Sequence, residues 1–222
     1  FFMTFYLPKI VFLFFFLINI VFNLVWRGIT VVSDLLFPDM VSYEPFNYIA
    51  YTGAIAAIAF FLLLIYGITI GRFSFKTERV TLGFRNLPES FNDFRIVHIS
   101  DIHLGSWYKK EKKMQKAVRL INSLSPDLIL FTGDLVNNFS EEAEGWHIIL
   151  QHAKARFGKY SILGNHDYGD YWDWQSEAEK RENMVLLYRA HEMMDFRLLM
   201  NQSDTISING HEIGIIGVEN WG

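Results

Sequence analysis

The chain contains no cysteine. That excludes a disulfide framework, a thiolate nucleophile and a Cys-ligated zinc, and it fits a reducing compartment. Proline is scarce, with five in 222 residues, and charge runs are short, so long disordered tails are not expected. There is no basic excess, 20 Lys/Arg standing against 24 Asp/Glu, and no nucleic-acid partner is expected. Charge is nearly missing from the first third. Residues 1–71 hold only Lys9, Arg27, Asp34, Asp39 and Glu44, while 18 of the 20 basic and 21 of the 24 acidic residues follow in 72–222. The mean hydropathy of +0.16 therefore averages two kinds of material. We read 1–71 as a membrane region and 72–222 as a domain of 151 residues, long enough for one hydrophobic core.

Ile10–Trp26 runs 17 residues without charge, interrupted only by Asn19 and Asn23, and Tyr48–Ile70 runs 23. A bilayer core takes about 20 apolar residues in a helix. Few soluble helices are apolar on every face, so both runs are read as transmembrane helices, at about 10–26 and 48–70. A cleaved signal peptide fits poorly, because two runs are present and the second is too long for a signal core. Arg72, Lys76, Arg79 and Arg85 follow the second run and Lys9 precedes the first, whereas the loop between them sets Arg27 against three acids. The positive-inside bias then places the loop outside and the domain in the cytoplasm, as part of an integral membrane protein. The first residue is Phe1 rather than Met. A fragment with further spans upstream is expected on that ground.

Beyond the membrane region, Arg72–Val80 reads as a strand. Phe94–Ser100, Asp127–Thr132 and Lys159–Leu163 read as short buried strands, rich in β-formers. Lys110–Leu124 carries Met114, Ala117, Val118, Ile121 and Leu124 at helical spacing and stops at Ser125-Pro126. A helix capped by Ser140 is predicted to run to about Arg156, and another over roughly Trp174–Met194. Asn209-Gly210 between Thr205–Ile208 and Glu212–Val218 is a type I′ hairpin signal. Strands alternating with helices predict an α/β fold with parallel crossovers. In such sheets ligands gather beyond the carboxyl ends of the strands.

Those ends are distinctive. The first strand ends in Asp101-Ile102-His103, the second in Gly133-Asp134, and the third in Gly164-Asn165-His166-Asp167. Hard oxygen ligands mixed with imidazole suit Mn, Fe, Zn or similar divalent ions. In Asp-x-His both side chains project to the same side of an extended chain. Each segment alone is weak, being a common turn; the three together, each at a strand end, form the signal.

These three segments resemble the calcineurin-like metallophosphoesterases, over about Phe94 to Val218. FRIVHISDIHLG (94–105) and SPDLILFTGDLVN (125–137) are most similar to the membrane-anchored bacterial branch that includes the YkuE-like phosphoesterases and UDP-2,3-diacylglucosamine pyrophosphatases. The resemblance implies a β-sandwich flanked by helices and two divalent metal ions at the strand ends. It places Asp101 and His103 on the first metal, Asp134 between the two, and Asn165 on the second. It makes His166 the group that contacts the phosphate and protonates the leaving oxygen, and Asp167 the residue that orients His166 by a hydrogen bond. The family's later ligands are an isolated His and a Gly-His-x-His pair. Past Asn165 this chain has His166, His191 and His211, none in that setting. Residues 72–222 are therefore expected to be the N-terminal part of the domain, truncated at the C-terminus, with weak metal binding and little hydrolysis alone.

Other residues are given structural roles. His98 is expected within the first strand, His147 and His152 on the surface, Lys109–Lys113 at a solvated helix start, Asn138-Phe139-Ser140, a glycosylation-like sequence, in a loop, and Asn137 and Asn138 in a loop near the site mouth. The aromatics of Tyr168–Trp174 are expected to pack a loop, with a wall for a lipid substrate as the functional alternative. The leading functional reading is a membrane-anchored phosphoesterase whose partners are a phosphate-ester substrate, lipid-linked by virtue of the tether, and membrane lipid. The alternative of another class is a non-catalytic membrane-bound scaffold module that keeps the fold. A Gly-His-x-His downstream discriminates between them.

Overall fold

The computed structural model describes residues 2–38 and 41–221. The charge counted at Asp39 and the expectations drawn from the chain ends, Phe1 and Gly222, lie outside the described residues. The chain divides into two compact units, Phe1–Glu78 and Arg79–Gly222.

The first unit pairs two helices, α1 (Phe2–Leu36) and α2 (Tyr48–Thr69). α2 coincides with the second apolar run. α1 is far longer than the predicted 10–26, because charge ends a hydropathy count but not a helix. Arginine is a good helix former, and no proline stands between Arg27 and Pro38 to remove a backbone donor. Helix α1 and the segment Tyr48–Phe73 are both long and apolar enough to cross a membrane. The two asparagines that interrupt the first run join the helices. Asn23 accepts the Phe46 N–H at 2.7 Å and donates to the Phe46 carbonyl at 2.8 Å. Asn19 accepts the Ala50 N–H at 3.3 Å, serving a donor in the first turn of α2, where Asn47 makes no side-chain cap.

The predicted strand at Arg72–Val80 is absent. Gly71–Phe73 is a single 3₁₀ turn, and residues 74–84 form no strand. Strand propensity supplies no ladder partner, and among the described residues none pairs with this segment.

In the second unit, β1 (Ile96–Ile99), β2 (Leu128–Phe131), β3 (Lys159–Ser161) and β4 (Arg197–Leu198) form a parallel sheet in that order. Helix α3 (Glu111–Ser123) crosses from β1 to β2, a one-turn helix α4 (His147–Leu150) lies between β2 and β3, and α5 (Glu177–Met193) leads to β4. β5 (Gln202–Ile208) and β6 (His211–Gly217) make the antiparallel hairpin, turning at Asn209 and Gly210, both at positive φ. β2 shows how the strand period sorts the core. Ile129 and Phe131 pack with Met114 and Val118 of α3 and Leu187 of α5, whereas Leu128 joins Tyr160, Leu199 and Ile206 on the hairpin side. The fold is thus mixed α/β, with helices on one face of a parallel sheet and a hairpin on the other. The two-residue strand β4 was too short for a periodic signal.

The helix predicted from Ser140 to Arg156 is broken. Ser140–Ala143 is a 3₁₀ turn, and Gly145, at φ +75°, separates it from α4. Ser140 is not its cap; its backbone N–H donates to Asn183 Oδ1 at 2.7 Å.

His191, on α5, is fully buried and stacked on Phe131 with ring centroids 5.8 Å apart. Neither ring nitrogen has a hydrogen-bond partner. Burial lowers its pKa from 6.5 to about 4. The unfolded chain then binds this proton more tightly than the native one. The associated stability is complete above pH 6.5 and drains away as pH falls toward 4, by about 3 kcal/mol. His191→Phe should gain roughly that much on the parent between pH 7 and pH 4 in denaturant unfolding followed by tryptophan fluorescence. A constant difference between the two proteins across that range would show that His191 does not titrate in this way.

Candidate metal centre

Because β1, β2 and β3 are parallel, their carboxyl ends share one edge, and hydrogen bonds continue past the strands. Asp101 N–H donates to the Gly133 carbonyl at 3.0 Å, His103 N–H to the Asp134 carbonyl at 3.0 Å, and Leu104 N–H to the Leu135 carbonyl at 2.8 Å. The third loop comes in at two glycines. A Cβ on Gly133, which has φ +93°, would meet the backbone of Gly164, and a Cβ on Gly164 would meet Asp134. Asp101, His103 and Asp134 themselves adopt φ of 53°, 50° and 58°. Left-handed backbone at non-glycine residues costs about 1–3 kcal/mol each and clusters at functional sites.

His103, Asp134 and His166 each offer a ligand atom, and these atoms lie within 4.8 Å of one another. His103 Nε2 is 3.8 Å from Asp134 Oδ2, while Asp134 Oδ1 accepts the His166 backbone N–H at 3.0 Å. The two imidazoles meet edge to face, centroids 4.8 Å apart. His166 Nδ1 lies 2.9 Å from the Asn137 carbonyl oxygen. A carbonyl only accepts, so Nδ1 carries the proton and Nε2 is left for chemistry. His103 Nδ1 is buried without a hydrogen-bond partner. His103, with its orphaned ring nitrogen, and the Asp134 carboxylate, with His166 beside them, fit a divalent cation of the Mn, Fe or Zn type.

Asp101 and Asn165 stand beside this cluster. Both line a cavity of about 380 Å³ that also reaches Asp134, Glu219 and Asn220. All four expected metal ligands are thus at the same strand edge, and His166, expected as a proton donor, brings a ring nitrogen within 4.8 Å of ligand atoms of His103 and Asp134.

Asp167 departs from the expectation. It makes no hydrogen bond to His166, which the Asn137 carbonyl orients instead. Its fully buried carboxylate accepts four backbone N–H groups: Asp134 at 2.7 Å, Leu135 at 2.8 Å, Val136 at 3.2 Å and Gly164 at 3.0 Å. Burial pushes its pKa up to about 6, with the four donors pulling against that shift. Its role is to clamp the second loop to the third.

Glu142 reads from the sequence as a favourable acid in a first helical turn, but the structure gives it another role. Its carboxylate accepts the N–H groups of Gly105 at 3.0 Å, Asn137 at 2.7 Å, and Asn138 and Phe139 at 3.1 Å. It therefore ties the loop carrying His103 to the loop whose carbonyl holds His166. No capping-box signal marked it, because Phe139 at the N-cap position has no side-chain acceptor; only the Glu142 half of such a box is present. His98 is exposed, its Nε2 2.8 Å from Thr132 Oγ1, and takes no part in the cluster.

A family model described as calcineurin-like phosphoesterase matches residues 94–220. A transmembrane protein with metallophosphoesterase domain from Danio rerio is 35% identical over 114 residues, covering 51% of this chain and 26% of that protein. The uncharacterized metallophosphoesterase YkuE of Bacillus subtilis (strain 168) is 37% identical over 98 residues, 43% of this chain and 34% of its own. The UDP-2,3-diacylglucosamine pyrophosphatase LpxG of Chlamydia trachomatis serovar D is 41% identical over 97 residues, 42% of this chain and 29% of its own. The matched part thus spans between 26% and 34% of the length of these relatives. No solved structure matches the chain.

Proposed function

The chain belongs to the calcineurin-like phosphoesterase family, and from that premise we propose that it works as a membrane-anchored, metal-dependent hydrolase of a phosphodiester, phosphomonoester or pyrophosphate bond. The observation that carries this reading is the convergence of His103, Asp134 and His166 beyond three parallel strands, with Asp101 and Asn165 on the adjoining cavity.

Calcineurin-like phosphoesterases use divalent metals. Two such ions would be held by Asp101 and His103, by a shared Asp134, and by Asn165. Bound there, such ions would supply Lewis acidity toward water and neutralise charge on the phosphate. The protein's own part is to place and protonate. Asn137 holds the His166 ring with Nε2 outward, and protonated Nε2 donates to the leaving oxygen.

Two helices able to cross a membrane, and relatives named as transmembrane proteins, support an anchored enzyme with the membrane region in 1–71 and the catalytic domain in 72–222. The Lys/Arg bias supports a cytoplasmic domain. An anchored site meets lipid-borne substrates at raised local concentration. That argument, with relatives named as UDP-2,3-diacylglucosamine pyrophosphatases, favours a lipid-linked phosphate ester or pyrophosphate. The test is hydrolysis of bis(p-nitrophenyl) phosphate by the purified protein, expected to be slow in these residues, which lack the family's Gly-His-x-His pair. EDTA should remove the activity and Mn²⁺ restore it. Hydrolysis indifferent to EDTA would sink the reading.

A further inference from the structure

Tyr171 is 63% exposed, yet it is engaged with two of the site residues. Its hydroxyl oxygen accepts the Asn165 Nδ2–H at 2.8 Å. Its ring lies over His166 with centroids 4.7 Å apart and planes tilted by 34°.

The surrounding segment is braced to keep it there. Gly169 N–H closes the turn onto the His166 carbonyl at 3.0 Å, and the Trp174 indole N–H donates to the Gly169 carbonyl at 2.8 Å. Trp172 and Trp174 both set their rings edge-on against Phe139. These contacts hold the chain on either side of Tyr171, so its position does not depend on burying its own ring.

The chemistry of the amide gives the contact its meaning. An asparagine side chain has one end that donates and one that accepts, and only the oxygen can ligate a cation. A free amide rotates between the two presentations. A phenol hydroxyl can accept or donate; here it accepts from Nδ2, the one arrangement that leaves Oδ1 for the cavity that Asn165 lines. Partners that orient a metal ligand are worth about 10–100-fold in metal affinity.

Resting on the metal-centre reading above, we propose that Tyr171 is a positioning residue of this centre, whose hydroxyl fixes the Asn165 amide so that its oxygen faces the cation. Tyr171→Phe removes the hydroxyl and keeps the ring on His166. Mn²⁺ binding is measured on the detergent-solubilised full chain by the electron paramagnetic resonance signal of free Mn²⁺, with a thermal melt on each variant. Tyr171→Phe should bind Mn²⁺ about 10-fold more weakly, or worse, with an unchanged melt. Asn165→Ala should be weakened at least as much. If Asn165→Ala is weakened while Tyr171→Phe titrates like the parent, the proposal for Tyr171 is overturned and the site reading stands. If both titrate like the parent, the assignment of Asn165 to the metal centre falls, and the role of Tyr171 falls with it.

Discussion

His166→Gln is expected to slow hydrolysis of a phosphodiester with an alkyl leaving group by about 10²–10⁴-fold, the usual worth of a positioned general acid. The direction of the effect follows from the tautomer. Asn137 offers only a carbonyl to Nδ1, at 2.9 Å, so the neutral ring is locked as the Nδ1–H form. In the proposed mechanism Nε2 is then the atom that gives the catalytic proton. Glutamine can hydrogen-bond a phosphate oxygen but cannot supply that proton. A p-nitrophenolate leaving group departs without protonation, so the same variant should lose far less on bis(p-nitrophenyl) phosphate. The measurement is kcat for both substrates at saturating Mn²⁺. Equal losses on both would assign His166 to binding instead of proton transfer. The ring is partly exposed, so the substitution should leave the fold intact.

Asp167→Ala is expected to cost on the order of 4 kcal/mol of stability, because each buried donor left without an acceptor costs about 1–3 kcal/mol. Four donors lose their acceptor together, those of Asp134, Leu135, Val136 and Gly164. Part of the loss is returned, since a desolvated carboxylate, with its pKa pushed up to about 6, is also removed. Domains of this size are stable by about 5–15 kcal/mol, so the variant should remain folded in the cold with a much lower denaturant midpoint. Asp167→Asn keeps one accepting oxygen and turns an amide N–H₂ toward donors, so it should fall between Ala and the parent. An unchanged midpoint for Asp167→Ala would mean that water can serve these four groups, and that Asp167 is not the clamp.

How much of this was legible beforehand depends on the range of each interaction. The apolar runs, the strand-helix alternation, the Asn209-Gly210 hairpin and the three acidic and imidazole segments are patterns within a few residues. Each can be read without knowing what packs on it. The parallel order of the sheet then delivers Asp101, His103, Asp134 and Asn165 to one edge, because strands joined by crossovers end on the same side.

The errors share a different origin. α1 runs past the charge at Arg27 to Leu36, because helices end where backbone hydrogen bonding fails, not where charge begins. The segment after the membrane region had strand composition but no ladder partner. The stretch after Ser140 had helical content, but Gly145 turned it and Asn183 took the backbone donor that a cap would have used.

The sequence by itself determined that the chain has an apolar pair of helices, an α/β domain, and, at three strand ends, side chains of the kinds that can ligate a cation. It could do so because hydropathy, periodicity and residue chemistry are local properties. Only the tertiary structure decided which group orients which. Asp167 reaches Asp134, Leu135 and Val136 from 31 to 33 residues away, Asn137 holds His166 across 29, and Glu142 reaches Gly105 across 37. In each of these bonds one partner is a backbone group, which every residue type supplies alike. No side-chain pattern encodes it, and it is settled only when the loops are folded against one another.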